Sequence, residues 1–511
     1  MNPTATTIAA VPASRATVEK DPLHWLRLAI YAYFLLWIFE GTLRKWILPG
    51  LSGPLLIIRD PVLVFIYFEA MRQKVFKLNG FLTFLLVLST LSVIVSLGLF
   101  KAPPLYVIGF GIHSNFLHLP LIFLLPQVMT YAEIKKIGQI VLWLAPPMAL
   151  LVALQFMSPS GARVNVGAGG EGKMLETAFD RIRPSGMFSF TNGLASYTAM
   201  LAAFLFHHLL EKNIFARLSF LLAAPSLLIL VVMSGSRTVF ALVGLQVLTV
   251  FVIWMVKPRF LQSSLKLVAI SVAVIFLIGS VGALKIGMDV IITRFTSSGG
   301  VKEGFVDRFL GEFKKPIDAA SRADAAGVGI GMGTNAASSM MYKMLRFNLG
   351  ESEMDRIVME MGPYLGLPYL LWRFAALGFI ARMAWLALRM TNNTLPLLLT
   401  TACANDLVMG QFGQSTVLGY AVMAAGFALA SVNRRDENLP ADAPDPAQAP
   451  AVRTIPTYAD RLRAEIALEA GSFPAATAGE PATEVIQMEV ANIVEKARPR
   501  PRAKKKASPR E

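Results

Sequence analysis

Apolar runs of about twenty residues recur along the chain and alternate with shorter polar segments. A helix needs about 20 apolar residues to cross a bilayer, and each run is close to that length. The pattern predicts an all-α polytopic membrane protein with about 12 transmembrane helices. The runs lie near residues 23–40, 54–70, 80–99, 105–129, 137–157, 188–210, 215–233, 238–256, 266–287, 364–388, 394–411 and 416–432.

The connecting segments differ in charge on the two sides of the membrane. With the N-terminus in the cytoplasm, every cytoplasmic loop carries Lys or Arg, which is the usual bias of such loops. An even number of spans then returns the C-terminus to the cytoplasm. The loops in question contain Arg72, Lys74 and Lys77; Lys135 and Lys136; Lys212 and Arg217; Lys257, Arg259 and Lys266; Arg389; Arg434 and Arg435.

Two longer segments interrupt this rhythm on the outer side, at residues 158–187 and at about 288–361. Long loops without structure are uncommon unless they serve a function, so the longer, nearly neutral segment predicts a small folded subdomain. Residues 1–22 and 433–511 flank the membrane domain of residues 23–432. Both flanks are expected to be disordered and cytoplasmic, and the C-terminal one ends in a strongly basic run.

Composition supports this assignment and excludes other classes. Of 511 residues, 55% are apolar and 16% charged, and the mean hydropathy is +0.55. Soluble domains have about 45–50% apolar and 25% charged residues, so a soluble enzyme, a disordered protein and a disulfide scaffold are excluded. The net charge of +15 belongs largely to cytoplasmic loops and the tail, so nucleic acid is not an expected partner. Cys403 is the single cysteine, so no intramolecular disulfide is possible.

Arginines at the outer face are the first candidates for chemistry. Arg183 precedes the sixth run, Arg181 lies two residues before it, and Arg237 lies between the seventh and eighth runs. All three break the rule that short outer loops are poor in Lys and Arg. A guanidinium binds phosphate through two parallel, charge-assisted hydrogen bonds, so these positions suit a phosphate or pyrophosphate group. The alternative is that they contact lipid headgroups.

Carboxylates at the end of the long outer segment are the second candidates. A helix there would place Glu353, Arg356 and Glu360 on one face. One carboxylate could act as general base toward a hydroxyl; the alternative is a solvated face with ordinary ion pairs. Arg59-Asp60 at the outer end of the second run is interpreted as a structural ion pair.

Several other chemistries are not indicated. A Walker-type phosphate loop is absent from the sequence, so ATP is not expected to drive the chain directly. Outer loops of the membrane domain contain no Asp-x-Asp pair, and His113 and His118 have neither the spacing nor the further ligands typical of a metal site. We therefore expect no metal and no cofactor.

Three motifs follow one another along the chain: Arg183-x-x-Gly186-x-Phe188-x-x-x-Asn192-x-x-Ala195, Ser234-Gly-Ser-Arg237, and Gly329-x-Gly-x-Gly-Thr334 followed by Glu360-Met-Gly362. In this order and spacing, and with a large outer loop between the ninth and tenth spans, they resemble the O-antigen ligase and polysaccharide polymerase superfamily. An opening segment, Glu40-Gly-Thr-Leu-Arg-Lys-Trp with Arg59-Asp-Pro, is similar to an exopolysaccharide-linked branch of that group.

The resemblance implies a metal-independent membrane glycosyltransferase of the GT-C type in the bacterial inner membrane. Such a protein moves a glycan from undecaprenyl pyrophosphate to an acceptor hydroxyl on the periplasmic face. A membrane protein that regulates chain length is an implied partner. Arg183 and Arg237 would then hold the pyrophosphate, and the full set assigned to donor binding is Arg181, Arg183, Asn192, Arg237 and Arg322.

One departure from the family pattern bears on the reaction. Ligases of the group have a histidine eleven residues before the position of Gly362, where this chain has Glu351. The expected base is therefore a carboxylate, with Glu351, Glu353 and Glu360 as candidates, and polymerisation of repeat units is favoured over ligation. The alternative function is that of a twelve-span secondary transporter or lipid-linked glycan flippase, although the two halves of the sequence show no internal similarity.

Overall fold

The computed structural model describes residues 21–169, 178–211, 214–260, 280–296, 307–334, 341 and 352–434. The chain divides into two units, residues 1–438 and 439–511, and the second lies outside this described part. Four of the predictions above also fall outside it. They concern the disordered N-terminus up to residue 20, the tail beyond residue 434, Glu351, and most of the ninth apolar run.

The described part of the chain is helical, and no β-strand occurs in it. Short π-helical turns, Leu43–Ile47 and His113–Leu117, follow the first and fourth helices. The helices are α1 His24–Thr42, α2 Asp60–Arg72, α3 Gly80–Leu97, α4 Leu105–Ile112, α5 Leu121–Val128, α6 Tyr131–Met157, α7 Thr191–Leu210, α8 Arg217–Met233, α9 Arg237–Val256, α10 Gly282–Thr296, α11 Asp307–Arg322, α12 Glu353–Thr391, α13 Leu395–Met409 and α14 Ser415–Ala430.

Six helical stretches of the described chain are long and apolar enough to cross a membrane, which confirms an all-α membrane protein. The fourth predicted run is broken: α4 with its π-helical turn and α5 are bent by 44° and together form a seventh stretch. Helices α8, α13 and α14 are apolar but shorter. The six are His24–Ile47, α3, α6, α7, α9 and α12.

Capping residues explain where several of these helices begin. Asn79 accepts a hydrogen bond from the N–H of Leu82 at the start of α3. Thr130 and Glu133 form a reciprocal capping box at the start of α6. These side chains satisfy backbone N–H groups that have no partner within the helix.

Helix α12 begins eleven residues before the predicted tenth run, because the end of the outer segment is itself helical. Gly362 interrupts it with φ 72° and ψ 166°. A Cβ at this position would lie 2.2 Å from the carbonyl oxygen of Ala325. Only glycine fits here, since the backbone conformation is unfavourable for other residues and the backbone near Ala325 leaves no room for a side chain.

Helices α7 and α14 form the centre of the bundle and are buried along nearly their whole length. Both are rich in Ala, Gly and Ser, which allows neighbouring helices to approach closely. Helices at the periphery of the bundle expose large apolar side chains, among them Phe68, Leu86 and Leu371. Such exposure suits contact with lipid chains.

Candidate functional site

Lys45 fixes the loop that carries Arg183. Its side chain is buried in the π-helical turn after α1. The Nζ atom donates to Ser185 Oγ at 2.8 Å, to Gly186 O at 2.7 Å and to Phe188 O at 2.8 Å. One ammonium group thus uses its three donors on one loop, and this holds the segment after Arg183 against the end of α1.

Gly41 lets that loop approach the backbone of α1. A Cβ at Gly41 would lie 2.4 Å from both the carbonyl oxygen of Met187 and the nitrogen of Ser189. Arg44 adds a hydrogen bond to Ser189 Oγ at 3.1 Å, and Gln155 accepts one from the N–H of Gly186 at 2.8 Å. The loop is therefore built on α1 and α6.

Side-chain contacts bring four helix ends to one face of the molecule. Arg183 Nη2 lies 3.5 Å from Ser236 Oγ, just before α9. Ser415, at the start of α14, donates to Glu40 in α1 at 2.9 Å. Lys45 contacts Phe188 just before α7, and Asn192 in the first turn of α7 contacts Gln414 just before α14. The end of α1 and the starts of α7, α9 and α14 therefore lie on one side of the molecule.

Three arginines cluster on this face. Arg237 Nη1 donates to the carbonyl oxygen of Arg294 at 3.3 Å, and Arg294 donates in return to the carbonyl oxygen of Gly235. Arg183 reaches the same turn through Ser236. Arg183 and Arg237, 54 positions apart in sequence, are therefore brought together, and Arg294 from α10 joins them.

The electrostatics of this cluster favour an anion. Burial and the charge of Arg237 lower the pKa of Arg183. Burial, with Arg183 and Arg237, lowers the pKa of Arg294 to about 10. The Nε atom of Arg183 is buried, and no hydrogen-bond acceptor in the described residues reaches it. A phosphate would relieve the repulsion and accept from such a donor.

The other predicted donor-binding residues are placed differently. Arg181 lies with its guanidinium carbon 5.8 Å from the centre of the Phe156 ring, and it donates to the carbonyl oxygen of Met157 at 3.4 Å. Asn192 is exposed and donates to Gln414 at 3.1 Å, on the face described above. Arg322, at the end of α11, pairs with Asp355 at 3.2 Å and is largely exposed.

Glu353 and Glu360 lie in a buried ion-pair network around Arg356. Arg356 contacts Glu353 Oε1 at 2.7 Å and Oε2 at 2.9 Å, and its Nη1 lies 2.7 Å from Glu360. Glu353 Oε1 also accepts from the N–H of Phe412 at 3.1 Å and pairs with Arg373 at 3.5 Å. The ion pairs expected on this face are present, but they are buried rather than solvated.

Glu360 also organises the glycine-rich turn. Its carboxylate accepts from the N–H of Gly331 at 3.1 Å and from that of Gly333 at 2.7 Å. Its backbone carbonyl accepts from Gly329 at 3.0 Å. The Gly-x-Gly run and the Glu-Met-Gly segment, two separate parts of one sequence motif, therefore form a single unit.

Three features of this region escaped the sequence reasoning. Arg294 was not singled out because it lies in the last turn of α10, whereas the sequence criterion concerned arginines in short loops. Lys45 belongs to the opening segment at residues 40–46, yet its partners come from another segment about 140 positions away. Arg59 pairs with Glu40 at 3.5 Å instead of with Asp60, whose carboxylate contacts His113 at 2.8 Å and His118 at 3.2 Å.

Comparisons with protein-family models, with curated proteins and with solved structures found no match for this chain.

Proposed function

We propose that this protein is a polysaccharide polymerase of the O-antigen ligase-like group in the bacterial inner membrane. It would cross the membrane twelve times in a GT-C-like arrangement, with both termini in the cytoplasm and the arginine cluster on the periplasmic face. It would transfer a growing glycan from undecaprenyl pyrophosphate to the hydroxyl of a carrier-linked repeat unit. A chain-length-regulating membrane protein would be its partner.

The cluster of Arg183, Arg237 and Arg294 is the observation that carries this proposal. Three guanidinium groups held close together on one face by hydrogen bonds to backbone carbonyls and a serine hydroxyl suit a ligand with several negative charges. A pyrophosphate beside a membrane is such a ligand. Contact with single lipid phosphates, the simpler alternative, does not require three arginines from separate segments of the chain to converge.

The same cluster supplies the chemistry of the leaving group. Negative charge builds up on the pyrophosphate as the sugar–phosphate bond breaks. Cations that are already oriented toward it stabilise this charge, which is often the largest single contribution to catalysis. The two oxygens of Glu353 and of Glu360 are all engaged within the protein, so we assign the acceptor-activating role to Glu351.

The proposal is tested by expressing single variants in a strain that lacks the chromosomal gene. Arg183→Ala and Arg237→Ala should insert normally but abolish polymer, and carrier lipid with a single repeat unit should accumulate on the periplasmic side. Glu351→Gln should give the same intermediate. Arg259→Ala, an exposed cytoplasmic arginine, is the matched control and should leave polymer unchanged.

The position of the accumulated intermediate distinguishes the functions. Long glycans left on the carrier lipid would indicate a ligase, and single units trapped on the cytoplasmic side would indicate a flippase. Normal polymer from both arginine variants, at normal protein levels, would overturn the proposal.

A further inference from the structure

Asp60, His113 and His118 meet at the outer end of α2. Asp60 is the first residue of that helix. Both histidines lie in the break between α4 and α5, where His113 begins the π-helical turn and His118 follows it. His113 Nδ1 lies 2.8 Å from Asp60 Oδ2, His118 Nε2 lies 3.2 Å from Asp60 Oδ1, and the two ring nitrogens are 3.4 Å apart. One carboxylate and two imidazoles, groups that commonly bind transition metals, thus face one another, and one ligand atom from each lies within 4.8 Å of the other two.

These spacings can be compared with those of a tetrahedral zinc site. Zinc binds nitrogen at about 2.0–2.1 Å, so two ligands of a tetrahedron lie about 3.3 Å apart. The separations of 3.4 Å and 3.2 Å are close to this value. The third separation, 2.8 Å, joins His113 Nδ1 to the other carboxylate oxygen, Asp60 Oδ2, at the length of a hydrogen bond. It would need to widen by about half an ångström if that oxygen bound the metal.

The π-helical turn explains how the histidines reach one point. They are five positions apart, and in a π-helix residues i and i+5 are hydrogen-bonded neighbours, whereas in an α-helix they diverge. Asp60 joins from another helix, 53 positions away in sequence. Neither contribution is visible in the spacing of the histidines alone.

The surroundings hold the ligand atoms in place. Tyr33 Oη lies 2.7 Å from His118 Nδ1, the ring nitrogen opposite the one that faces Asp60. Such an outer partner fixes the ring orientation in most metal sites. Asp60 Oδ1 is buried and lacks a partner in hydrogen-bond geometry within the described residues. The nearby positive charge of Arg59 is balanced by Glu40 at 3.5 Å.

We propose that Asp60, His113 and His118 bind a divalent transition-metal ion, with zinc as the preferred species. His118 Nδ1 then carries the proton and donates to Tyr33, which leaves Nε2 free to bind the metal. The side chain of Asp60 is 20% exposed and gives the ion access from the outer face. The metal ties α1, α2 and the α4–α5 break together, and its presence does not depend on the proposed transferase activity.

The experiment uses the full-length protein, purified in detergent, treated with a chelator and titrated with Co²⁺. The wild type should bind one ion per chain with the visible absorption bands of cobalt bound to nitrogen ligands, and Zn²⁺ should abolish them. Asp60→Asn and His113→Gln keep side-chain size and should abolish this absorption. Tyr33→Phe should retain the site but weaken metal affinity by about tenfold or more.

His24→Ala is the matched control, since His24 is exposed and lies elsewhere, and it should bind cobalt like the wild type. Added Zn²⁺ should also raise the thermal midpoint of the wild type and of His24→Ala, but not of Asp60→Asn. A wild type that shows no cobalt absorption and no zinc-dependent shift would overturn the proposal and leave a metal-free hydrogen-bonded triad. That result can be read even when a variant fails to fold.

Discussion

The ammonium group of Lys45 lies 2.8 Å from the hydroxyl of Ser185, across a contact between segments 140 positions apart. Replacing Lys45 by Met keeps a long, unbranched side chain but removes the ammonium group. Ser185 Oγ and the carbonyl oxygens of Gly186 and Phe188 then lose their hydrogen-bond donor. A buried acceptor without a partner costs about 1–3 kcal/mol, so stability should fall by at least that amount. Polymer yield should fall as well, because the Arg183 loop loses its support.

Thermal unfolding in detergent and polymer yield in cells would measure the two effects of Lys45→Met. Lys101→Met is the control, since Lys101 is exposed on the connection before α4, and it should change neither quantity. A fully stable Lys45→Met protein with normal polymer would show that the loop does not need this anchor.

Arg294 should contribute to donor binding although no sequence motif includes it. A hydrogen bond to a charged group is worth about 1.5–3 kcal/mol, so Arg294→Ala should weaken binding of undecaprenyl pyrophosphate by about tenfold to a hundredfold. Arg294→Lys keeps the positive charge but loses the planar guanidinium group, so its affinity should lie between those of the wild type and Arg294→Ala. Titration of the purified protein with the carrier lipid measures this, with Arg259→Ala as the control. Equal affinity in Arg294→Ala and wild type would remove Arg294 from the site.

Glu360→Gln distinguishes an organising carboxylate from a catalytic base. The amide offers one oxygen where the carboxylate now serves two N–H groups, and Arg356 loses a partner. Breaking a buried ion pair costs about 3–5 kcal/mol, so the thermal midpoint should fall markedly. Glu312→Gln, in the partly exposed pair of α11, should lower it little. A Glu360→Gln protein of normal stability without donor turnover would instead identify a base.

The helical runs were predictable because each is a local pattern of apolar residues. Helices coincide with eleven of the twelve predicted runs, and the ninth lies largely outside the described residues. The break between α4 and α5 was not predictable, since the apolar character continues through it while the π-helical turn and the two histidines depend on partners from α1 and α2.

The candidate site was predictable only in part, for the same reason. Arg183 and Arg237 stood out because the outer loops in which they were predicted to lie are usually poor in Lys and Arg. Tertiary packing, by contrast, brings Arg183 next to Ser236 in the turn before Arg237 and adds Arg294 to the cluster. It also buries Glu353 and Glu360. Sequence spacing gave Glu353, Arg356 and Glu360 a common face, but it did not indicate that the face is turned inward.

Two glycines of α12 should respond oppositely to alanine. At Gly362 the added Cβ would lie 2.2 Å from Ala325 O, and the residue has φ 72°, which alone costs an alanine about 1–3 kcal/mol. At Gly378 a Cβ meets nothing within 4 Å, and alanine in a helix interior is more favourable than glycine by about 0.5–1 kcal/mol. Gly362→Ala should therefore lower the thermal midpoint and Gly378→Ala should leave it equal or raise it.

The comparison tests how the glycine-rich turn is joined to α12. Gly362 contacts the chain between Ala325 and Gly327, so a Cβ there should separate the turn from Glu360 and lower polymer yield as well as stability. Each variant adds one methyl group to the same helix. Measured in the same detergent, their thermal midpoints therefore differ only through the surroundings of the two glycines. Equal midpoints for the two proteins would contradict the close contact at Gly362, and with it the role of Glu360 in holding the turn.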